Sequence, residues 1–214
     1  MFAKKGQTMR PKKKSEKGTL RYNIQQLVEA GIKSGDLINA VKVPKGQNEY
    51  EWMSVNCFDF FETVQLIYSS VSDFCNETTC PIMNAGPSIE YLWIVDKKAT
   101  SLPAQKYCDE LFSWIANTFD NEKVFPKEFG EKPPKKFIDI ITKIYKRMFR
   151  VYAHMFYSHM EHLKEVKMDD IALQSFKHFF FFCREFNFLS KDDIAPLESM
   201  VQDLCSQAGV SVFS

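Results

Sequence analysis

The sequence predicts a mostly α protein, one domain with a basic arm and a short strand or hairpin. Three observations predict it. Residues 49–74 and 135–166 carry apolar residues at spacings of three and four, the period of a helix face. Pro81, Gly86 and Pro87 break that pattern in one central stretch, where 89–95 suits a short strand or hairpin. The 214 residues, 45% hydrophobic and 26% charged, have the balance of a globular domain that fills its core without disulfides.

The elements follow in order. Residues 1–19 are Lys-rich and aperiodic, a basic arm. Helical patterning starts near Leu20 with Ile24, Leu27 and Val28, and breaks at Gly31. A short helix over 36–41 ends before Pro44, and 49–74 continues as one long helix without Gly or Pro. After the hairpin region a helix spans 103–119. Pro133 and Pro134 then open a second long helix over 135–166, with Pro at its first turn. Helices over 169–186 and 192–205 close the domain, with Ser190 and Asp193 spaced as a capping box. The expected division is an arm at 1–19, a domain at 20–206 and a tail at 207–214. Seven of the 20 Phe fall within 176–188. Four in a row, Phe179–Phe182, span most of a helix circumference, so at least one is expected at the surface.

The net charge of +1 hides a partition. Residues 1–21 hold eight Lys/Arg against one acid, residues 127–150 hold eight against three, and the remainder holds twelve against twenty-three. No apolar run approaches the ~18 residues of a membrane span. The start, MFAKKGQTMRPKKK, lacks the apolar segment of a secretory signal. An intracellular, cytoplasmic location is expected, with the six cysteines as thiols or metal ligands rather than a disulfide framework.

Cys75 and Cys80 form a C-x4-C pair past the first long helix, and His154 and His159 an H-x4-H pair on the second. Two thiolates and two imidazoles are a tetrahedral zinc set. Residues five apart on a straight helix point about 140° apart, whereas His159 and His162 diverge by only about 60°. Spacing therefore leaves open a His159/His162 pair, local unwinding near His159, or two buried thiols with ordinary helix histidines.

On the second long helix Lys143, Lys146, Arg147 and Arg150 share one quadrant, opposite Phe137, Ile141, Ile144, Met148 and Val151. Like charges at this spacing repel by a few tenths of a kcal/mol per pair, a cost that an anionic partner relieves. A phosphorylated serine or threonine suits two guanidiniums and an ammonium; the plainer alternative is a solvated basic face. Tyr145 and Tyr152 nearby offer stacking for nucleic acid, but the patch is about two turns long and most of the chain is acidic, so no nucleic-acid partner is expected. On the first long helix Glu51, Val55, Asp59 and Glu62 form a stripe beside Trp52. It suits a basic amphipathic helix with Trp52 as anchor, or else Trp52 and Val55 are core beside solvated acids.

The stretches EWMSVNCFDFF, FCNETTCPIMNAGPSIEYLW, KRMFRVYAHMFYSH, SFKHFFFFCREFNF and IAPLESMVQDL resemble the Mob/phocein family, in one order over roughly residues 18–205. The resemblance implies a helical bundle with structural zinc on Cys75, Cys80, His154 and His159. It implies a non-catalytic activator of NDR/LATS-type AGC kinases. Glu51, Trp52 and Asp59 match the acidic surface that receives the kinase's basic N-terminal regulatory region. Lys146, Arg147 and Arg150 match the Lys-Arg-x-x-Arg cluster of Hippo-type members, which binds phosphothreonine on an upstream Ste20-like kinase or scaffold. The intact cluster argues against phocein-like members, which act in striatin phosphatase complexes. Nuclear, spindle-pole or cytokinetic sites join the cytoplasm as expected locations.

The chain departs from the family in several places. Thr8 resembles the phosphorylated threonine of the arm, but Gly31 stands where a second phosphoacceptor falls. Glu131-Lys132-Pro133-Pro134 replaces a more apolar stretch, and Ser88-Ile89 a basic–aromatic pair. An enzyme reading has only the Cys/His set to stand on, as a zinc hydrolase.

Overall fold

The computed structural model describes residues 36–127 and 132–213. Thr8, the arm over 1–19 and the helix expected between Leu20 and Gly31 lie outside those residues. The described chain runs α1 (Leu37–Ala40), α2 (Glu49–Ser69), β1 (Trp93–Val95), β2 (Lys98–Thr100), α3 (Ala104–Phe119), α4 (Phe137–Ser158), α5 (Met160–Glu165), α6 (Asp169–Glu185), α7 (Lys191–Ile194), a 3-10 turn (Ala195–Leu197) and α8 (Glu198–Ala208). The mostly helical class with one hairpin is as the sequence predicts.

Asn48 starts α2: its side-chain oxygen accepts from the amides of Tyr50 and Glu51 at 2.9 and 3.2 Å. Trp52, Asn56, Phe60, Val64 and Ile67 recur along its buried stripe, which packs chiefly on α4 and α6. The helix stops at Ser69, five residues before the expected end. There the hydroxyls of Ser69, Ser70 and Ser72 donate to the carbonyls of Leu66, Ile67 and Ser69, and this local bonding competes with another helical turn.

The second long helix is also shorter than expected. Pro133 and Pro134 precede it rather than fill its first turn; the Phe137 amide donates to the Pro134 carbonyl at 3.0 Å, and Lys136 caps it with φ 71°. It ends at Ser158, because His159 leaves helical geometry (φ −132°, ψ 15°) before α5 begins. The expected 192–205 helix divides at Pro196, which lacks an amide to donate, though the Ser190–Asp193 capping box is formed.

β1 and β2 pair antiparallel, Trp93 opposite Thr100, through a two-residue turn at Asp96 (φ 48°) and Lys97 (φ 66°). The strand expected over 89–95 begins at Trp93; upstream, Glu90 makes only an isolated bridge to Asn84.

The centre of the bundle is α6. Phe179–Phe182 are all buried, so the expected surface phenylalanine is absent from that run. The reason is enclosure: α1, α2 and α5 pack on α6, while Tyr145 and Tyr152 of α4 lie against Phe179 at 5.6 and 5.1 Å between ring centroids. Each buried phenyl contributes about 1.5–3 kcal/mol.

Candidate metal centre and basic cluster

Cys75 and Cys80 flank a short, ordered loop. The Asn76 side-chain oxygen accepts from the amides of Thr78 and Thr79, the Thr79 hydroxyl donates to the Phe74 carbonyl at 2.6 Å, and the Cys80 amide donates to the Asn76 carbonyl at 2.8 Å. This turn directs both sulfurs at α4. Cys75 Sγ lies 3.4 Å from His154 Nε2, and Cys80 Sγ lies 3.5 Å from His159 Nε2.

All four donor atoms are buried and lie within 4.8 Å of one another. A tetrahedral ion with bonds of about 2.3 Å to sulfur and about 2.05 Å to nitrogen separates S from N by roughly 3.5 Å. The donor set therefore fits a metal ion. The break at His159 supplies the local unwinding that a straight helix lacks, turning a ligand five residues from His154 back to the same point. His162 is not one of the four.

The surroundings favour the same occupant. Burial, opposed by the Tyr68 hydroxyl, pushes the Cys75 thiol well above its ordinary range; that hydroxyl donates to Sγ at 3.4 Å. Burial lowers the His154 imidazole, and burial with the neighbouring His154 and His162 rings lowers His159 to about 4. Both rings are thus neutral near pH 7, as ligation requires. A cation is what makes thiolate favourable in such a site. Four protein donors complete a tetrahedron, leaving no position for a reactive water, which suits a structural ion rather than a hydrolase.

The second feature lies one to two turns earlier on the same side of α4, Arg150 being four and Arg147 seven residues before His154. Arg147 is sandwiched between two indoles, 4.2 Å from the Trp93 ring centroid and 4.6 Å from that of Trp114. Arg150 donates to the Tyr107 hydroxyl at 3.1 Å and sits 5.0 Å from the Tyr91 ring. Lys146 pairs with Asp193 at 2.7 Å, while Lys143 is exposed. A groove of about 400 Å³ opens between Trp93, Trp114, Glu110 and Arg147. The Tyr91 hydroxyl is buried and meets no hydrogen-bond partner among the described residues.

Sequence reasoning found the cations and missed what holds them. The aromatic partners did leave a signal. Tyr91 and Trp93 alternate on one side of an extended segment, and Tyr107 and Trp114 are seven apart, on one face of α3.

One expectation is corrected, and one alternative already set aside loses its remaining support. Trp52 is not a surface anchor: it is 1% exposed, and its indole nitrogen donates to the Val41 carbonyl at 3.0 Å, tying α2 to the segment after α1. Glu51 and Asp59 remain half-buried on the outer side of α2. Tyr145 and Tyr152 are fully buried as well, Tyr145 stacked on Phe188 and Tyr152 sharing a hydrogen bond with Ser175, so neither is available to stack on a base.

Comparison with known proteins decides the family. Residues 29–197 match the Mob1/phocein family. The chain belongs to that family. It is 40% identical over 195 residues to the maintenance of ploidy protein mob1 of Schizosaccharomyces pombe, covering 90% of this chain and 93% of that protein. It is 39% identical over 207 residues to MOB kinase activator-like 1 homolog A of Dictyostelium discoideum (95% and 97%), and 40% identical over 208 residues to MOB kinase activator-like 3 of Drosophila melanogaster (95% and 94%). Such relatives support a kinase-activator adaptor role for this Mob protein. No described helix is long and apolar enough to cross a membrane.

Proposed function

We propose that this Mob protein is a non-catalytic adaptor that binds and activates an NDR/LATS-type AGC kinase while docking a phosphothreonine of an upstream Ste20-like kinase or scaffold. The observation that carries the phosphate-binding half is the fixed placement of Arg147 and Arg150 against an aromatic wall, with Lys146 held beside them by Asp193. Guanidiniums already held by Trp93, Trp114 and Tyr107 lose little freedom on meeting a ligand. A phosphothreonine brings a charge of about −1.5 to −2, which Arg binds through paired hydrogen bonds. Glu51 and Asp59, on the outer side of α2, are the residues proposed to meet the kinase's basic N-terminal region; Trp52 supports that face from beneath. The ion held by Cys75, Cys80, His154 and His159 is zinc, the metal that suits two thiolates and two imidazoles. It supplies no reaction and ties the Cys75–Cys80 loop to α4. The working location is the cytoplasm, with recruitment to spindle-pole or cytokinetic structures and the nucleus through the bound kinases.

The test is a titration of phosphothreonine peptides against the wild type and Lys146→Ala/Arg150→Ala. Loss of affinity by tenfold or more, with an unchanged melting temperature, supports the pocket; equal affinity rejects it. Recovery of striatin-type proteins without a kinase from native cells rejects the kinase assignment in favour of a phocein-like adaptor.

A further inference from the structure

His162 has no role in the metal set, yet it touches a residue that does. His159 Nε2 faces Cys80 Sγ at 3.5 Å, and its other nitrogen, Nδ1, lies 3.4 Å from His162 Nδ1. Two imidazole nitrogens at that distance share one proton: one donates and the other accepts. If His159 accepts, its own proton sits on Nε2 and blocks the metal side. If His162 accepts, His159 carries its proton on Nδ1 and presents a bare Nε2 lone pair to the ion. Ligation by Nε2 therefore requires His162 to be the acceptor.

The companion ligand is held differently. His154 Nδ1 meets the Asn84 carbonyl at 2.9 Å, a group that only accepts, so its tautomer is fixed by backbone. His159 depends on a side chain, and that side chain is itself held. The His162 ring stacks flat on Phe74, with centroids 4.2 Å apart and planes at 19°. Phe74 directly precedes Cys75, so the loop that supplies two ligands also sets the ring that orients a third. The geometry points to His162 as the positioning residue of the metal centre: it accepts the Nδ1 proton of His159 and fixes the ring with Nε2 toward the ion. His162 is half-buried beside an open pocket of about 530 Å³, so it can be replaced without opening the core.

The full-length protein, stripped by a chelator, is titrated with Zn²⁺ against a chromophoric competitor and separately with Co²⁺, whose visible absorption reports ligand geometry. His162→Phe keeps a ring on Phe74 and removes the acceptor; His162→Asn puts an amide oxygen near the position of Nδ1. The expected result for the Phe variant is Zn²⁺ affinity lowered about ten- to a hundredfold, with an altered Co²⁺ spectrum and the metal-free melting temperature of the wild type. The Asn variant recovers most of the affinity and the spectrum. Wild-type affinity in the Phe variant, or an Asn variant as weak as Phe, overturns the assignment. Should Phe disturb the metal-free fold, His162→Leu against His162→Asn carries the same comparison: a weak Leu variant beside a strong Asn variant supports it, and equal affinities overturn it.

Discussion

Lys146 Nζ stands 2.7 Å from Asp193 Oδ2, so one cation of the basic cluster already has a carboxylate partner. Asp193 serves two structures at once, since the same oxygen accepts from the Ser190 amide at 2.9 Å in the capping box. Burial pulls its carboxyl up, but Lys146 and the Ser190 hydroxyl and amide outweigh that and hold it below the ordinary range. An arriving phosphate must share Lys146 with this carboxylate. Asp193→Asn removes the competing charge and keeps an acceptor for the Ser190 amide. Phosphothreonine-peptide affinity is expected to rise severalfold in calorimetric titration, at a stability cost of about 1 kcal/mol.

Trp52 and Asp59 separate core from surface on α2. Trp52→Ala is expected to cost about 3–5 kcal/mol in denaturant unfolding, because it empties a buried site and orphans the Val41 carbonyl. Asp59→Lys is expected to cost less stability than Trp52→Ala and to weaken binding to an NDR-type kinase, with phosphopeptide affinity intact.

Metal removal is expected to loosen the Cys75–Cys80 loop from α4. Cys80→Ser should lose the bound ion in elemental analysis and lower the melting temperature. A loss of about 5 kcal/mol corresponds to roughly 10–20 °C for a domain of this size. The large aromatic core remains without the ion, so a folded but less stable protein is the expected product.

The buried His178 ring sets a response to acid. It lies 4.8 Å from the Phe60 ring centroid, its Nε2 meets no partner among the described residues, and burial lowers its pKa to about 4. The unfolded chain binds this proton near pH 6.5 and the folded chain only near pH 4, so the unfolded state gains protons between those values. The contribution is complete above pH 6.5 and is lost as pH falls toward 4. Relative to His178→Phe, wild-type stability should fall by about 3 kcal/mol between pH 7 and pH 4 in denaturant titrations.

Periodicity made most of the helices legible, and residue chemistry found the metal donors and the cations. Element ends were less legible where local bonding or geometry decided them. Three serines stop α2, which helix periodicity does not register. No Gly or Pro marks the break at His159, which is nevertheless what brings His159 to Cys80. Trp52 looked like an anchor because its neighbours are acidic; the Val41 carbonyl that holds it lies eleven residues away in sequence. Burial of the whole Phe179–Phe182 run was not legible, because four consecutive residues cover most of a helix circumference and a single helix does not reveal how many neighbours enclose it.

The central claim is activation of a kinase through a phosphate-dependent adaptor, and the most direct test is the activity of a purified NDR-type kinase titrated with this protein. Saturable stimulation is expected, weakened by Asp59→Lys and by rising salt, since exposed charges are screened over about 8 Å at physiological ionic strength. A kinase that neither binds the protein nor changes its rate across the titration would contradict the account.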